Sequence, residues 1–143
     1  LEDGLWTLDA TDDVVSCTWG GTWRMPTMNE WSELQEHCVW TWTDDYDQTG
    51  VAGYVVASKS SDASLFLPAA GCRYANQINE KGVHGYYWSS SLFTNHSSYR
   101  GSAYQLQFFQ AFVKSNWNYT RYYGSSVRGV CPSTTTKSAG ITQ

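Results

Sequence analysis

The stretch Thr27-Met28-Asn29-Glu30-Trp31-Ser32-Glu33-Leu34-Gln35-Glu36-His37-Cys38-Val39-Trp40-Thr41-Trp42-Thr43 changes its period in the middle. Thr27 with Glu30 three residues on fits a capping box, in which each side chain satisfies the other's backbone N–H. Trp31, Leu34 and Cys38 fall at i, i+3 and i+7, one apolar face of a helix. From Val39 the apolar residues alternate with threonine, a strand period. A capped helix running straight into a strand predicts a mixed fold.

The flanks extend this reading. Upstream, Leu5-Trp6-Thr7-Leu8 alternates as a short strand. Asp9 to Val15 carries its acids early and reads as a short helix ended by Gly20-Gly21. Downstream, strands are expected at 53–58, 64–67, 85–91, 102–109 and 126–131, with a polar turn over 59–63. Along 102–109, Tyr104, Leu106 and Phe108 share one face, and Ala103, Gln105, Gln107 and Phe109 the other. Residues 133–143, rich in Ser and Thr, read as a flexible tail. Helices first and short strands after predict an α+β fold, mostly antiparallel, in one domain over 1–132.

Composition narrows the class. The 143 residues include eight Trp, ten Tyr and five Phe against 22 charged residues, which excludes a disordered chain. No apolar run reaches the roughly 20 residues of a membrane span. The opening Leu1-Glu2-Asp3 is neither a Met nor a signal peptide and reads as the start of a mature or trimmed domain. The net charge of −4 argues against a general nucleic-acid binder. All 13 acids lie at or before Glu80, where three basic residues leave a net −10. Residues 81–143 hold six basic residues and no acid, net +6. Halves of opposite sign attract when packed together, and the second presents a surface free of carboxylates.

Motifs for catalysis or metal binding are missing. Cys17, Cys38, Cys72 and Cys131 are too far apart for a zinc ribbon, and two disulfides or buried thiols both fit the count. His37, His84 and His96 are scattered. Asp45-Tyr46-Asp47-Gln48-Thr49-Gly50 opens like a calcium loop, but its twelfth position is Val56 rather than a bidentate Glu. Asp12-Asp13 and Asp44-Asp45 read as a helix start and a loop. Asn95-His96-Ser97 and Asn118-Tyr119-Thr120 match the glycosylation sequon, which chance supplies in so polar a region. No catalytic residue, metal site or cofactor is expected.

The segment Ser89 to Tyr123 stands apart. It interleaves Tyr, Trp, Phe, Ser, Asn, Gln, Gly and Arg with few aliphatic residues. Binding loops favour this palette: rigid aromatics give contact area at low entropy cost, and small polar residues adapt their hydrogen bonds. Phe93, Phe109 and Phe112 fall outside the alternation that sets the core, so their exposure would mark an interaction site.

Several strings, in order, resemble one bacterial family. These are Trp19-Gly20-Gly21-Thr22-Trp23-Arg24-Met25-Pro26-Thr27, Glu30 through Trp42, and Leu65-Phe66-Leu67-Pro68-Ala69-Ala70-Gly71. Gly85-Tyr86-Tyr87-Trp88-Ser89-Ser90-Ser91 and Arg121-Tyr122-Tyr123-Gly124-Ser125-Ser126-Val127-Arg128 complete the series. It resembles the Fibrobacter-type major paralogous domain family of gut bacterial surface proteins, over about residues 5–132. That resemblance implies a C-type-lectin-like fold of the formylglycine-generating-enzyme branch, with one long helix plus a short one. It also implies a disulfide tying the first long helix to the last strand, which Cys38 and Cys131 would form. Cys17 and Cys72 are left as a second pair or as thiols.

A subset of the fold resembles the variable proteins of diversity-generating retroelements, whose side chains change on a fixed scaffold. In that likeness Tyr104, Leu106, Phe108, Val113, Arg121, Tyr122, Tyr123, Gly124 and Val127 are scaffold. Asn95, Ser97, Ser98, Arg100, Phe109, Phe112, Asn116, Asn118, Tyr119 and Thr120 are types that adenine changes in Asn codons reach. Gln105, Gln107, Gln110 and Lys114 are not one-step products of such a codon. The E-P-N or Q-P-D string of calcium-dependent lectins is missing, and only Cys131 stands where formylglycine-generating enzymes keep a close cysteine pair. Neither chemistry is expected.

The function expected is a non-catalytic, ligand-binding domain of an adhesin or receptor-binding protein at a cell surface or on a phage particle. Its binding face lies on the 93–120 loops and strands. Phe93, Asn95, Tyr99, Arg100, Phe109, Phe112, Trp117, Asn118 and Tyr119 would meet a protein or glycan ligand. No nucleic acid and no membrane insertion are expected, and attachment to a larger surface protein is. The alternative is a structural or self-associating unit of an appendage or lipoprotein.

Overall fold

Helix α2 (Met28–His37) is the frame on which the chain is built. Its capping box is complete: Glu30 N–H donates to Thr27 Oγ1 at 3.2 Å, and Thr27 N–H to Glu30 Oε2 at 2.8 Å. Arg24 clamps the same carboxylate, its Nη1 2.8 Å from Oε2. That guanidinium first, and the cap after it, holds the Glu30 carboxyl below its usual range. The C-terminus is capped by a side chain, as Trp40 Nε1 donates to the Leu34 carbonyl at 3.1 Å.

The computed structural model describes residues 6–94 and 101–132. The architecture is α+β with antiparallel sheets. No helix among the described residues is long and apolar enough to cross a membrane. Strands β1 (Cys38–Thr43), β2 (Gly53–Ser58) and β3 (Ser64–Pro68) form one sheet in that order. A short hairpin pairs β4 (Cys72–Tyr74) with β5 (Gln77–Asn79). Strands β6 (His84–Leu92), β7 (Ser102–Phe109) and β8 (Phe112–Thr120) form a second three-stranded meander. Trp31 of α2, Tyr54 and Val56 of β2, Leu67 of β3, Tyr87 of β6, and Leu106 and Phe108 of β7 make the core between the sheets. Gly85 lets β6 approach it closely, since a Cβ there would sit inside the Phe108 ring.

The first helix starts later than its acids suggest. Asp9 closes a turn through Oδ1, which accepts from the Thr11 and Asp12 N–H groups. Helix α1 (Val14–Trp19) is capped by the buried Asp13 instead. Asp13 Oδ1 accepts from Val15 and Ser16, and Oδ2 from Met25 N–H at 2.8 Å, which stitches α1 to the segment before α2. Gly20, at φ 67°, ends the helix as read.

Four expectations need correction. The long helix is ten residues, because the Thr and Trp alternation from Val39 takes the chain into β1 at once. The tie between Cys38 and Cys131 is not formed, and all four cysteines are free. Cys38 ends α2, about 15 Å of helix from its start, whereas Cys131 lies against Thr22 beside the pairing of Val130 with Arg24. A disulfide needs Cα atoms within about 7 Å. The strand expected over 126–131 reduces to two isolated bridges, Ser126 to Tyr87 and Val130 to Arg24, because Gly129 turns in under the Trp19 ring. The opening strand reduces to a bridge from Thr7 to Ser91. Leu5 and the 133–143 tail lie outside the described residues.

Candidate functional site

The face of the β6–β7–β8 sheet turned away from α2 is an aromatic surface. Register sets its membership. His84, Tyr86 and Trp88 of β6 oppose Phe109, Gln107 and Gln105 of β7. Those in turn oppose Phe112, Lys114 and Trp117 of β8, and Ala103 opposes Tyr119. One extra residue in β8 between Lys114 and Trp117 shifts its parity, a β-bulge. Without the bulge Trp117 and Tyr119 would point at α2.

The rings run in an unbroken file. Phe112 stacks on Phe109 at 4.9 Å, and Phe109 meets His84 at 5.1 Å. His84 lies 5.9 Å from Tyr86, which lies 6.1 Å from Tyr119. Tyr119 meets Tyr123 at 4.7 Å, and Tyr123 packs on Tyr122 at 4.6 Å and Tyr74 at 5.1 Å. Both ends are open: Phe109 and Phe112 are about two-fifths exposed, Tyr122 is 70% exposed and Tyr74 50%. Beside the file Trp117 is 42% exposed, with Lys114 Nζ 4.5 Å over its ring.

A strap crosses this face. After β8 the chain runs over β7 to the free edge of β6. Gly124 pairs with Arg73 of β4, and Ser126 with the backbone of Tyr86 and Trp88. Gln105, fully buried beneath it, donates from Nε2 to Ser125 Oγ at 2.8 Å and accepts from Gln107 at 3.1 Å. Beyond the strap lies a cleft of about 460 Å³, walled by Leu8, Val14, Met25, Trp88 and Val127 with Arg121 at its lining.

Three phenols of the file, Tyr86, Tyr119 and Tyr123, are held above the ordinary tyrosine value. Burial first, then a short hydrogen bond donated to Glu80 Oε2, pushes Tyr86 far above the usual tyrosine value. Burial raises Tyr119, and hydrogen bonding with Tyr122 carries Tyr123 up to about 12. Glu80 Oε1 lies 3.8 Å from His84 Nδ1, a buried atom with no hydrogen-bond partner.

Of the residues expected at the site, Phe109, Phe112, Trp117 and Tyr119 share this face. Asn118 opposes Tyr104 and so has the other parity. Phe93 packs edge-on against Tyr104 at 5.4 Å, away from the file. Asn95, Tyr99 and Arg100 lie outside the described residues. The region read as loops is mostly the β7–β8 hairpin. Tyr122, expected as scaffold, is an exposed member of the surface. Tyr74, His84 and Tyr86 were missed, as they lie far from the 93–120 segment in sequence.

Among the described residues no three His, Cys, Asp or Glu side chains converge as a metal site. The loop that opens like a calcium site closes on itself, with Asp45 Oδ1 accepting from Gly50 N–H at 2.6 Å. Its twelfth position, Val56, is buried in the core. Comparison with family models, curated proteins and solved structures returns no match to this chain.

Proposed function

We propose that this protein is a non-catalytic ligand-binding domain of a bacterial or phage surface protein. The file of aromatic rings on the outer face of the β6–β7–β8 sheet is the observation that carries the reading. Its middle ring, Tyr86, is buried, while Phe109, Phe112 and Trp117 toward one end and Tyr74 and Tyr122 at the other are exposed; exposed aromatics of this kind mark interaction sites, and such rigid rings supply most of the affinity where they bind. The strap and the sheet hold them in place, so little ordering entropy is lost on binding.

A C-type-lectin-like fold belongs to this proposal. Its support is the way both ends of the described chain return to one place, with Thr7 beside Ser91, Ser126 beside Tyr87 and Val130 beside Arg24. Diversification by a retroelement is the finer proposal. Phe109, Phe112 and Tyr119 are reachable from Asn codons and share the outer face. A near-copy of the codons for residues 89–128, differing only at adenines beside a reverse transcriptase gene, tests it.

The binding reading is tested with an array of purified glycans and extracellular proteins, probed by labelled wild type and by Phe112→Ala/Tyr119→Ala. Loss of wild-type signals in the folded variant is expected. Identical profiles sink the site. A self-associating module is the second reading, favoured by the exposed Trp6 beside the end of β6 and by Trp19 and Trp23, exposed and packed edge-on at the end of α1. Sedimentation that depends on concentration, abolished by Trp19→Ser, would favour it.

A further inference from the structure

We infer that two copies of this chain pair along the open edge of β1, their β1 strands antiparallel about a two-fold axis at Thr41. β1 contributes no residue to the ring file, so this surface is separate from the proposed ligand face.

The hydrogen-bond phase of the strand shows what the edge offers. Just before β1, Lys59 N–H donates to the His37 carbonyl. Bonded residues alternate along an antiparallel pair, so Val39, Thr41 and Thr43 exchange hydrogen bonds with Ala57, Val55 and Gly53 of β2. The other side of β2 keeps the same phase: Ser58 N–H donates to the Ala63 carbonyl, and Ala69 N–H to that of Ala52. Trp40 and Trp42 therefore turn their backbone N–H and C=O groups to the free edge, where no group among the described residues bonds them. The opposite edge of the sheet is answered, since Arg128 and the Tyr87 hydroxyl donate to the Phe66 and Pro68 carbonyls of β3.

Native proteins guard such an edge with a charge, a proline, a bulge or a covering segment. Cys38–Thr43 holds no charge and no proline, and its register with β2 runs through six pairs without a shift. Cys38, Trp40 and Trp42 pack against the core, while Val39 and Thr41 are exposed on the outer face. Their neighbours on that face, Val55, Ala57, Ser64 and Phe66, are uncharged as well.

A second copy is the occupant that fits. With the axis at Thr41, Trp40 of each copy meets Trp42 of the other as a bonded pair, so the same two residues answer each other's donors and acceptors. On the outer face Thr41 meets Thr41 and Val39 meets Thr43, which are favourable cross-strand pairs. Charge sets the direction. Asp44, Asp45 and Asp47 follow β1 at once. A parallel pair would bring the two acidic loops together. The antiparallel pair carries each loop to the far end of the other strand, where Lys59 offsets Glu36 and holds its carbonyl.

Sedimentation velocity of the full chain over a range of concentrations tests the pairing. Wild type should pass from monomer to dimer as concentration rises, and so should Phe112→Ala/Tyr119→Ala and Trp19→Ser. Thr41→Lys and Thr41→Glu set like charges face to face at the axis, and each should weaken the dimer about fivefold or more. Thr41 is exposed, so both variants should fold, with far-UV circular dichroism as the check. A mixture of the two should recover dimers, because opposite charges then meet. Wild type that stays monomeric at every concentration, as it would if the edge pairs only with a foreign strand, overturns the inference. So do dimers indifferent to the Thr41 variants, a mixture that does not recover, or a dimer lost with Trp19→Ser. None of these results bears on the binding reading, which the array tests separately.

Discussion

The Phe109 ring lies 16° from parallel to the Phe112 ring, 4.9 Å away, across the turn that joins β7 to β8. The turn is Gln110-Ala111, and Ala111 takes φ 78° to close it. Two apolar rings stacked at a hairpin tip and open to water do little for the core. Stacking of this kind contributes about 1 kcal/mol. Phe112→Ala is therefore expected to lower unfolding free energy by about 1 kcal/mol or less while removing most ligand binding. Urea unfolding alongside the array signal checks both halves. A loss of several kcal/mol would make the pair a structural element.

Gln105 anchors the strap. Gln105→Ala would leave the Gln107 amide and Ser125 hydroxyl without this partner and open space under residues 121–126. A destabilisation of about 1–3 kcal/mol is expected, with faster proteolytic cleavage between Arg121 and Arg128. Unchanged cleavage would mean that Gly124 and Ser126 hold the strap without it.

Alkali should destabilise the fold from about pH 10 upward. Burial pushes Tyr87 up to about 12 and Tyr86 further, against an ordinary value of 10.0. Above the unfolded value the unfolded chain has lost these protons and the native chain has kept them. The unfolded state then binds fewer protons, so stability falls as pH rises from about 10 to 12. Below pH 10 their contribution is fully present. Chemical denaturation across this range, with tyrosinate absorbance near 295 nm as a second probe, should show ionisation and unfolding together. Ionisation of all ten tyrosines at the ordinary value without unfolding would contradict it.

Thiol reactivity tests the cysteine assignment. The intact chain should give four reactive thiols in denaturant without reductant. In the native protein Cys17 and Cys131 are exposed and should react first. Cys72 is buried, and burial raises its thiol pKa, so it should react last. Two thiols in denaturant would place a disulfide where the structure has none.

Much of the fold is legible in local pattern. Thr27 and Glu30 announce α2, and β2 and β7 begin and end where their alternation does. β8 is not, because the bulge between Lys114 and Trp117 breaks the period that would reveal it. β4 and β5 are three residues each, too short for a period to register. The tie of Cys38 to Cys131 came from likeness alone, and the length of α2 rules it out. Four expected site residues meet on one face because strand parity and one bulge put them there. Tyr74, His84 and Tyr86 join only through pairing and packing between distant segments, which a single sequence does not display.

The central claim is that ligand settles on the outer sheet face, and side-chain footprinting tests it most directly. Hydroxyl-radical labelling of Trp and Tyr is compared with and without the strongest glycan or protein found on the array. Protection of Trp117, Tyr119 and Tyr122, with Trp6, Trp19 and Trp23 labelled as in the free protein, is the result predicted. Protection of Trp6, Trp19 and Trp23 while the sheet face stays reactive would contradict the account and move the site to those tryptophans.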